Sequence, residues 1–243
     1  MKKGIFPLLF LLFFSTVIFS QHYPYWFIYP GKVGCDEYEV GYSTTGYYED
    51  SSKVVAFKNG CVNHARNAYL KIEGGQGFWE TENGTYWMGE KISESFDTAS
   101  IQIYKEKLKL VSTFSNDEIT LALLCSSDFE LLPHQNQILD LNDLKTPNWL
   151  DKLPSSTGYM YAIAMTPKYY YETSSWLEAE RQARINLARQ ISVKIKSEQK
   201  VNISEGQEIR DEEFSVVLRN VSVVERWIDT KRNIFYVLIK MPI

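Results

Sequence analysis

Apolar residues return at helical spacing along residues 174–191. Trp176, Ala179, Ala183, Leu187 and Ile191 form one face, behind a cap at Ser174 or Ser175 and acids at Glu178 and Glu180. Past Ile191 the period shortens to two. Val193, Ile195, Val201 and Ile203 alternate with Lys194, Lys196, Glu198, Lys200 and Asn202, which predicts a strand running on from the helix. An earlier helical face comprises Val54, Phe57, Cys61, Ala65, Ala68 and Ile72, opened by Ser51 or Ser52 and closed by Gly74–Gly75. Strands are predicted at 37–44, 101–113, 119–124, 159–165, 220–229 and 234–241, with a hairpin turning at Asn83–Gly84 and a short helix around 209–218.

These elements occur in the same order twice. Pro24-x-Trp26 answers to Pro147-x-Trp149, Gly41–Tyr42 to Gly158–Tyr159, and Ala65–Arg66 to Ala183–Arg184, at offsets of 123, 117 and 118 residues. The expected fold is α+β: two tandem modules, each a helix packed on an antiparallel-rich sheet in the order strand, helix, strand, strand, strand. The expected boundaries are 1–20 for a signal peptide, 21–130 for the first module, 131–146 for a linker and 147–243 for the second module.

Composition adds export. Lys2 and Lys3 precede an almost wholly apolar run at 5–19, and Ser20 precedes polar Gln21, which is the form of a cleavable secretory signal. A lipid anchor is not expected: the first cysteine, Cys35, lies well downstream, with Lys32 where a lipobox has leucine. The net charge of -4 provides no field for nucleic acid. The ends of the predicted strands at 37–44 and 119–124 meet if those strands are antiparallel neighbours, so a Cys35–Cys125 disulfide is expected, with Cys61 in the core.

Pro147-x-Trp149, Gly158–Tyr159, Ala162-Ile163-Ala164, the run EAERQARINLARQI, VKIKSEQ and the closing VVERWIDTKRNIFYVLIK together resemble the Lpp-twenty-type family. These are bacterial surface lipoproteins related to the N-terminal domain of a flagellar-ring accessory protein. The resemblance covers 147–242 best and 24–125 more loosely. It implies an envelope-associated, non-enzymatic module, here in two copies and without the family's lipobox.

Candidate chemistry is sparse. His22, His64 and His134 are scattered, so neither a metal set nor a triad is visible, and no cofactor is expected. Cys61 and His64 share a helix face and are read as core rather than as a thiolate–imidazole pair. Gly74-Gly75-Gln76-Gly77 closes a helix instead of opening one, so it is not a phosphate cradle. The expected interaction surface comprises Tyr25, Trp26, Phe27, Tyr169 and Tyr170, with Arg181, Arg184 and Arg189 on the outer side of the second helix. The function this supports is a non-catalytic exported envelope protein, periplasmic, outer-membrane associated or secreted. It binds a protein partner or another envelope component and forms homo-oligomers in one variant of that reading. The rival is a glycan-acting enzyme using Glu80 or Glu82 beside Trp79 and Trp87.

Overall fold

A computed structural model describes residues 22–81, 84–199 and 213–243; for 76–90 and 194–199 it describes the backbone alone. The expected signal segment, Val201, Ile203 and the side chains of Trp79, Glu80, Glu82 and Trp87 therefore lie outside the described parts. In chain order the elements are β1 (His22–Pro24), α1 (Tyr25–Ile28), β2 (Tyr38–Thr44), α2 (Glu49–Ala68), β3 (Tyr69–Thr81), β4 (Gly84–Ser95), α3 (Ser100–Lys107), β5 (Lys109–Ser115), β6 (Ile119–Cys125), β7 (Ile138–Asp140), β8 (Tyr159–Pro167), α4 (Glu172–Gln199), β9 (Phe214–Arg219), β10 (Ser222–Asp229) and β11 (Ile234–Pro242).

The class is α+β, with every sheet antiparallel. Two three-stranded sheets have the same plan. One has the order β2-β6-β5 with α2 on β2, the other β10-β11-β8 with α4 on β8. A third sheet, β4-β3-β9, joins a hairpin of the first half to a strand of the second. The expected linker is part of the body: β7 within it pairs with β1, and Gln135 Nε2 donates to the Val33 carbonyl at 2.8 Å.

Several elements differ from expectation. α4 continues to Gln199 where a strand was expected, so Val193 and Ile195 belong to the helix. Lys194, Lys196, Glu198 and Gln199 are good helix formers and outweigh a short alternation of two β-branched residues. The expected strand at 101–113 is split: Ser100–Lys107 is helical, and in the turn before it Asp97 Oδ1 accepts from the Ala99 N–H at 2.9 Å. Ile101 and Tyr104 there lie one turn apart and pack on the cluster holding Cys61 and Leu108. Gly74–Gly75 lie inside β3, not at a helix end. The expected helix around 209–218 is, from Phe214, the strand β9, whose Val216 and Leu218 alternate into the core.

A constant shift of 123 residues relates the two halves in side-chain detail. Asn63 Nδ2 donates to the Val40 carbonyl at 3.3 Å, and Asn186 Nδ2 to the Ile163 carbonyl at 2.9 Å. Arg66 Nη1 donates to Asn63 Oδ1 at 3.2 Å, and Arg189 Nη1 to Asn186 Oδ1 at 3.3 Å. Ser52 Oγ accepts from the Gly46 N–H at 2.9 Å, and Ser175 Oγ from the Tyr169 N–H at 2.8 Å. Ala65–Arg66 thus answers to Ala188–Arg189 in a shared Asn-x-Ala-Arg motif, not to Ala183–Arg184. Likewise Gly41–Tyr42 answers to Ala164–Met165, not to Gly158–Tyr159.

Small residues let each helix lie close to its strand. A Cβ on Gly41 would stand 1.9 Å from the Ala56 carbonyl oxygen, so glycine is required there. Between the halves the core is aromatic. Tyr23 stacks on Phe27 with centroids 4.7 Å apart, Phe27 meets Trp176 edge-on at 5.2 Å, and Trp176 meets Phe235 at 4.8 Å. Trp176 Nε1 donates to Tyr23 Oη at 3.1 Å, satisfying a buried indole.

Candidate functional site

Two strand-to-helix loops carry a pair of tyrosines each. Tyr47 and Tyr48 lie between β2 and α2, and Tyr170 and Tyr171 between β8 and α4. The pairs are equivalent under the 123-residue shift. Their rings stand perpendicular in both cases, with centroids 5.0 Å and 4.9 Å apart. Tyr47 is 96% and Tyr170 91% exposed; Tyr48, Tyr169 and Tyr171 are exposed as well. The Ser52 and Ser175 hydroxyls hold the two loops in the same shape through the bonds given above.

The loops adjoin. Thr44 Oγ1, at the end of β2, lies 3.5 Å from Thr173 Oγ1 at the start of α4. Lys168 Nζ reaches Glu118 at 3.2 Å, and the Glu118 carbonyl accepts from the Thr45 N–H at 3.4 Å. Five exposed tyrosines therefore crown one end of the molecule, on a scaffold of strand ends and helix starts. Beneath them Glu172 is buried, and burial pushes its carboxyl up to about 7, against a lowering contribution from Trp176.

Below that end lies a buried ionic network spanning both halves. Arg226 of β10 donates through Nη1 to the Phe27 carbonyl at 2.7 Å and through Nη2 to Tyr42 Oη at 2.5 Å and Glu180 Oε1 at 2.7 Å. Tyr42 Oη also donates to Glu180 Oε1. The guanidinium lies 4.5 Å from the Phe27 ring centroid and 5.6 Å from that of Tyr42. Burial alone would lower the Arg226 pKa; Tyr42 and Glu180 outweigh it and hold it raised. Glu39 accepts from Asn67 Nδ2 at 2.8 Å and from the Val40 N–H at 3.0 Å. Burial first, then the Glu180 charge, pushes its carboxyl up to about 7.

The expected surface is thus divided. Tyr169 and Tyr170 are at the exposed end, and Tyr25 is half-buried against Tyr29 and His134. Trp26 and Phe27 are core residues and no part of a surface, because α1 inserts them between the halves. Arg184 is also buried, 4.0 Å from Glu180, and burial lowers its pKa. Arg181 remains on the outer side, paired with Glu94 at 3.2 Å and Glu178 at 3.1 Å. Arg189 is half-buried on Asn186. Tyr47 and Tyr48 escaped the sequence reading, although the 123-residue spacing of the Trp26 and Trp149 motifs points to them.

Pairing of β2 with β6 and β6 with β5 brings Cys35 beside Cys125 as expected, but the disulfide is not formed. All three cysteines are free and buried. Cys35 Sγ donates to the Glu37 carbonyl at 3.1 Å, and burial, then the neighbouring Cys35, raises the Cys125 pKa. Cys61 is buried and His64 half-buried on α2. Burial raises the thiol pKa and lowers that of the imidazole, which stands edge-on to Tyr104 at 4.5 Å. Among the described residues no group of three or more His, Cys, Asp or Glu side chains is placed to hold a metal ion, and no helix is long and apolar enough to cross a membrane.

No protein-family model, curated protein or solved structure matches the chain significantly.

Proposed function

We propose that the chain is a non-catalytic, exported cell-envelope protein that binds a protein partner or another envelope component through its tyrosine end. The carrying observation is the pair of equivalent, adjoining and exposed tyrosine sets. Tyrosine offers a large amphipathic contact with few rotamers to immobilise, and contiguous exposed aromatics on a folded chain suit recognition. The matched loops are in keeping with duplication of one module. Export rests on the apolar segment at 5–19, and the resemblance to the Lpp-twenty-type family agrees with this role.

The test is a pull-down from envelope fractions with the full mature chain and with a Tyr47→Ala, Tyr48→Ala, Tyr170→Ala, Tyr171→Ala variant. The expected result is a specific partner held by the native chain and lost by the variant, with the urea midpoint unchanged. Recovery of no specific partner, or equal retention by both chains, overturns the proposal.

A further inference from the structure

The free edge of β8 is open where its counterpart in the first half is sealed. Lys168 N donates to the Asn233 carbonyl and Ile243 N to the Gly158 carbonyl, both at 2.9 Å, so the even-numbered residues of β8 face β11. Tyr161, Ile163 and Met165 therefore point their backbone N–H and C=O groups away from the sheet. By the same alternation Val40 and Tyr42 of β2 point outward. There α2 seals the edge: Asn63 Nδ2 binds the Val40 carbonyl at 3.3 Å and Asn59 Nδ2 the Tyr42 carbonyl at 2.7 Å.

The second half keeps the first of these bonds and lacks the second. Asn186 binds the Ile163 carbonyl. The counterpart of Asn59 is Gln182, one methylene longer, and its Nε2 turns to Glu178 Oε1 at 2.6 Å. No described group donates to the Met165 carbonyl, and Met165 is 61% exposed. A cavity of about 500 Å³ opens here between strand and helix, lined by Ile163, Met165, Gln182, Asn186, Leu150 and Tyr236 among others.

We infer that this groove receives an extended peptide segment of a partner protein, added to β8 as a further strand. The unpaired N–H and C=O of Met165, with the Ile163 N–H, match the backbone of an extended chain. Leu150, Ile163 and Tyr236 offer an apolar floor for one of its side chains, and the Gln182 amide can release Glu178 to bind a peptide group. The tyrosine end begins just beyond β8, so a bound segment would run toward it. The inference stands on the strand edge and not on the tyrosines.

The test pans a random nine-residue peptide library against the full mature chain, then titrates selected peptides by fluorescence anisotropy. Gln182→Asn should restore the seal seen at Asn59 and weaken binding about tenfold, the scale of one or two lost hydrogen bonds, with no loss of stability. The four-tyrosine variant should bind the same peptides as the native chain does, which separates this site from the tyrosine end. Intermolecular NOEs from peptide amides should reach Ile163 and Met165. Failure to select any peptide, or peptides indifferent to Gln182→Asn, overturns the inference. So does protection of the Met165 amide in a dimer of the peptide-free chain, which would make a second copy the occupant.

Discussion

Arg226 is enclosed by groups drawn from both halves: the Phe27 carbonyl, Tyr42 and Glu180. Replacing it with methionine leaves Glu180 buried without its closest cation, and should cost about 3–5 kcal/mol in urea unfolding. Glu39 sets a pH dependence of known sign. Its carboxyl, about 7 when folded against 4.5 as the ordinary value, binds a proton more tightly in the native state. Its contribution is therefore present below pH ~4.5 and lost as pH rises toward 7. Glu39→Gln should raise stability relative to the native chain at pH 8 by on the order of 1–3 kcal/mol and leave it nearly unchanged at pH 4, measured by urea midpoints. The unpartnered Oδ1 of Asn67 can accept the new amide, or the proton of a neutral Glu39. At this scale the sequence showed the run Tyr169-Tyr170-Tyr171 but hid Arg184. An apolar face drawn through alanines leaves arginine outside, and only the partner Glu180 one turn earlier hinted at a buried pair.

Among elements, the strands at Tyr38–Thr44, Ile119–Cys125, Tyr159–Pro167 and Ile234–Pro242 were legible because each has a buried face and turn residues at its ends. The helix Ser100–Lys107 was not. Ile101 and Ile103 mimic alternation, and only packing on α2 decides for the period through Ile101 and Tyr104. The end of α4 failed for the converse reason: its last turns offer the sequence an alternation, yet Val193 is exposed and supplies no strand face. The close fit of α2 to β2 gives a contrast between the halves. Gly41→Ala forces a methyl onto the Ala56 carbonyl and should lower stability by about 2 kcal/mol or more. At the equivalent position Ala164→Gly removes one methyl and adds backbone freedom, and should cost only ~1 kcal/mol. Thermal melts of the two variants compare them directly.

For the whole molecule, the α+β class was legible, but the expected repeat of strand, helix, strand, strand, strand is not matched element for element: α3 interrupts the first half, and one sheet takes strands from both halves. Gly–Tyr and Ala–Arg pairs are common enough to coincide at wrong offsets, whereas the bonds of Asn63 and Asn186 fix the shift at 123 residues. What the sequence did not show is how far the halves share one interior. β9 completes the sheet of β3, and Arg226 occupies a place beside Tyr42. A fragment of residues 147–243 expressed alone should accordingly give a poorly dispersed amide NMR spectrum, and mixing with residues 21–146 should restore dispersion.

If the tyrosine end binds as proposed, two like pairs held side by side suit a ligand that repeats, such as a polymer or a symmetric assembly. Once one pair engages, the second meets its site at an effective concentration reaching ~millimolar, so the joint affinity exceeds either grip alone by about 10²–10⁴. Deleting either pair should then weaken binding by about 10²–10⁴ and leave the affinity of the remaining pair, which deleting both removes as well.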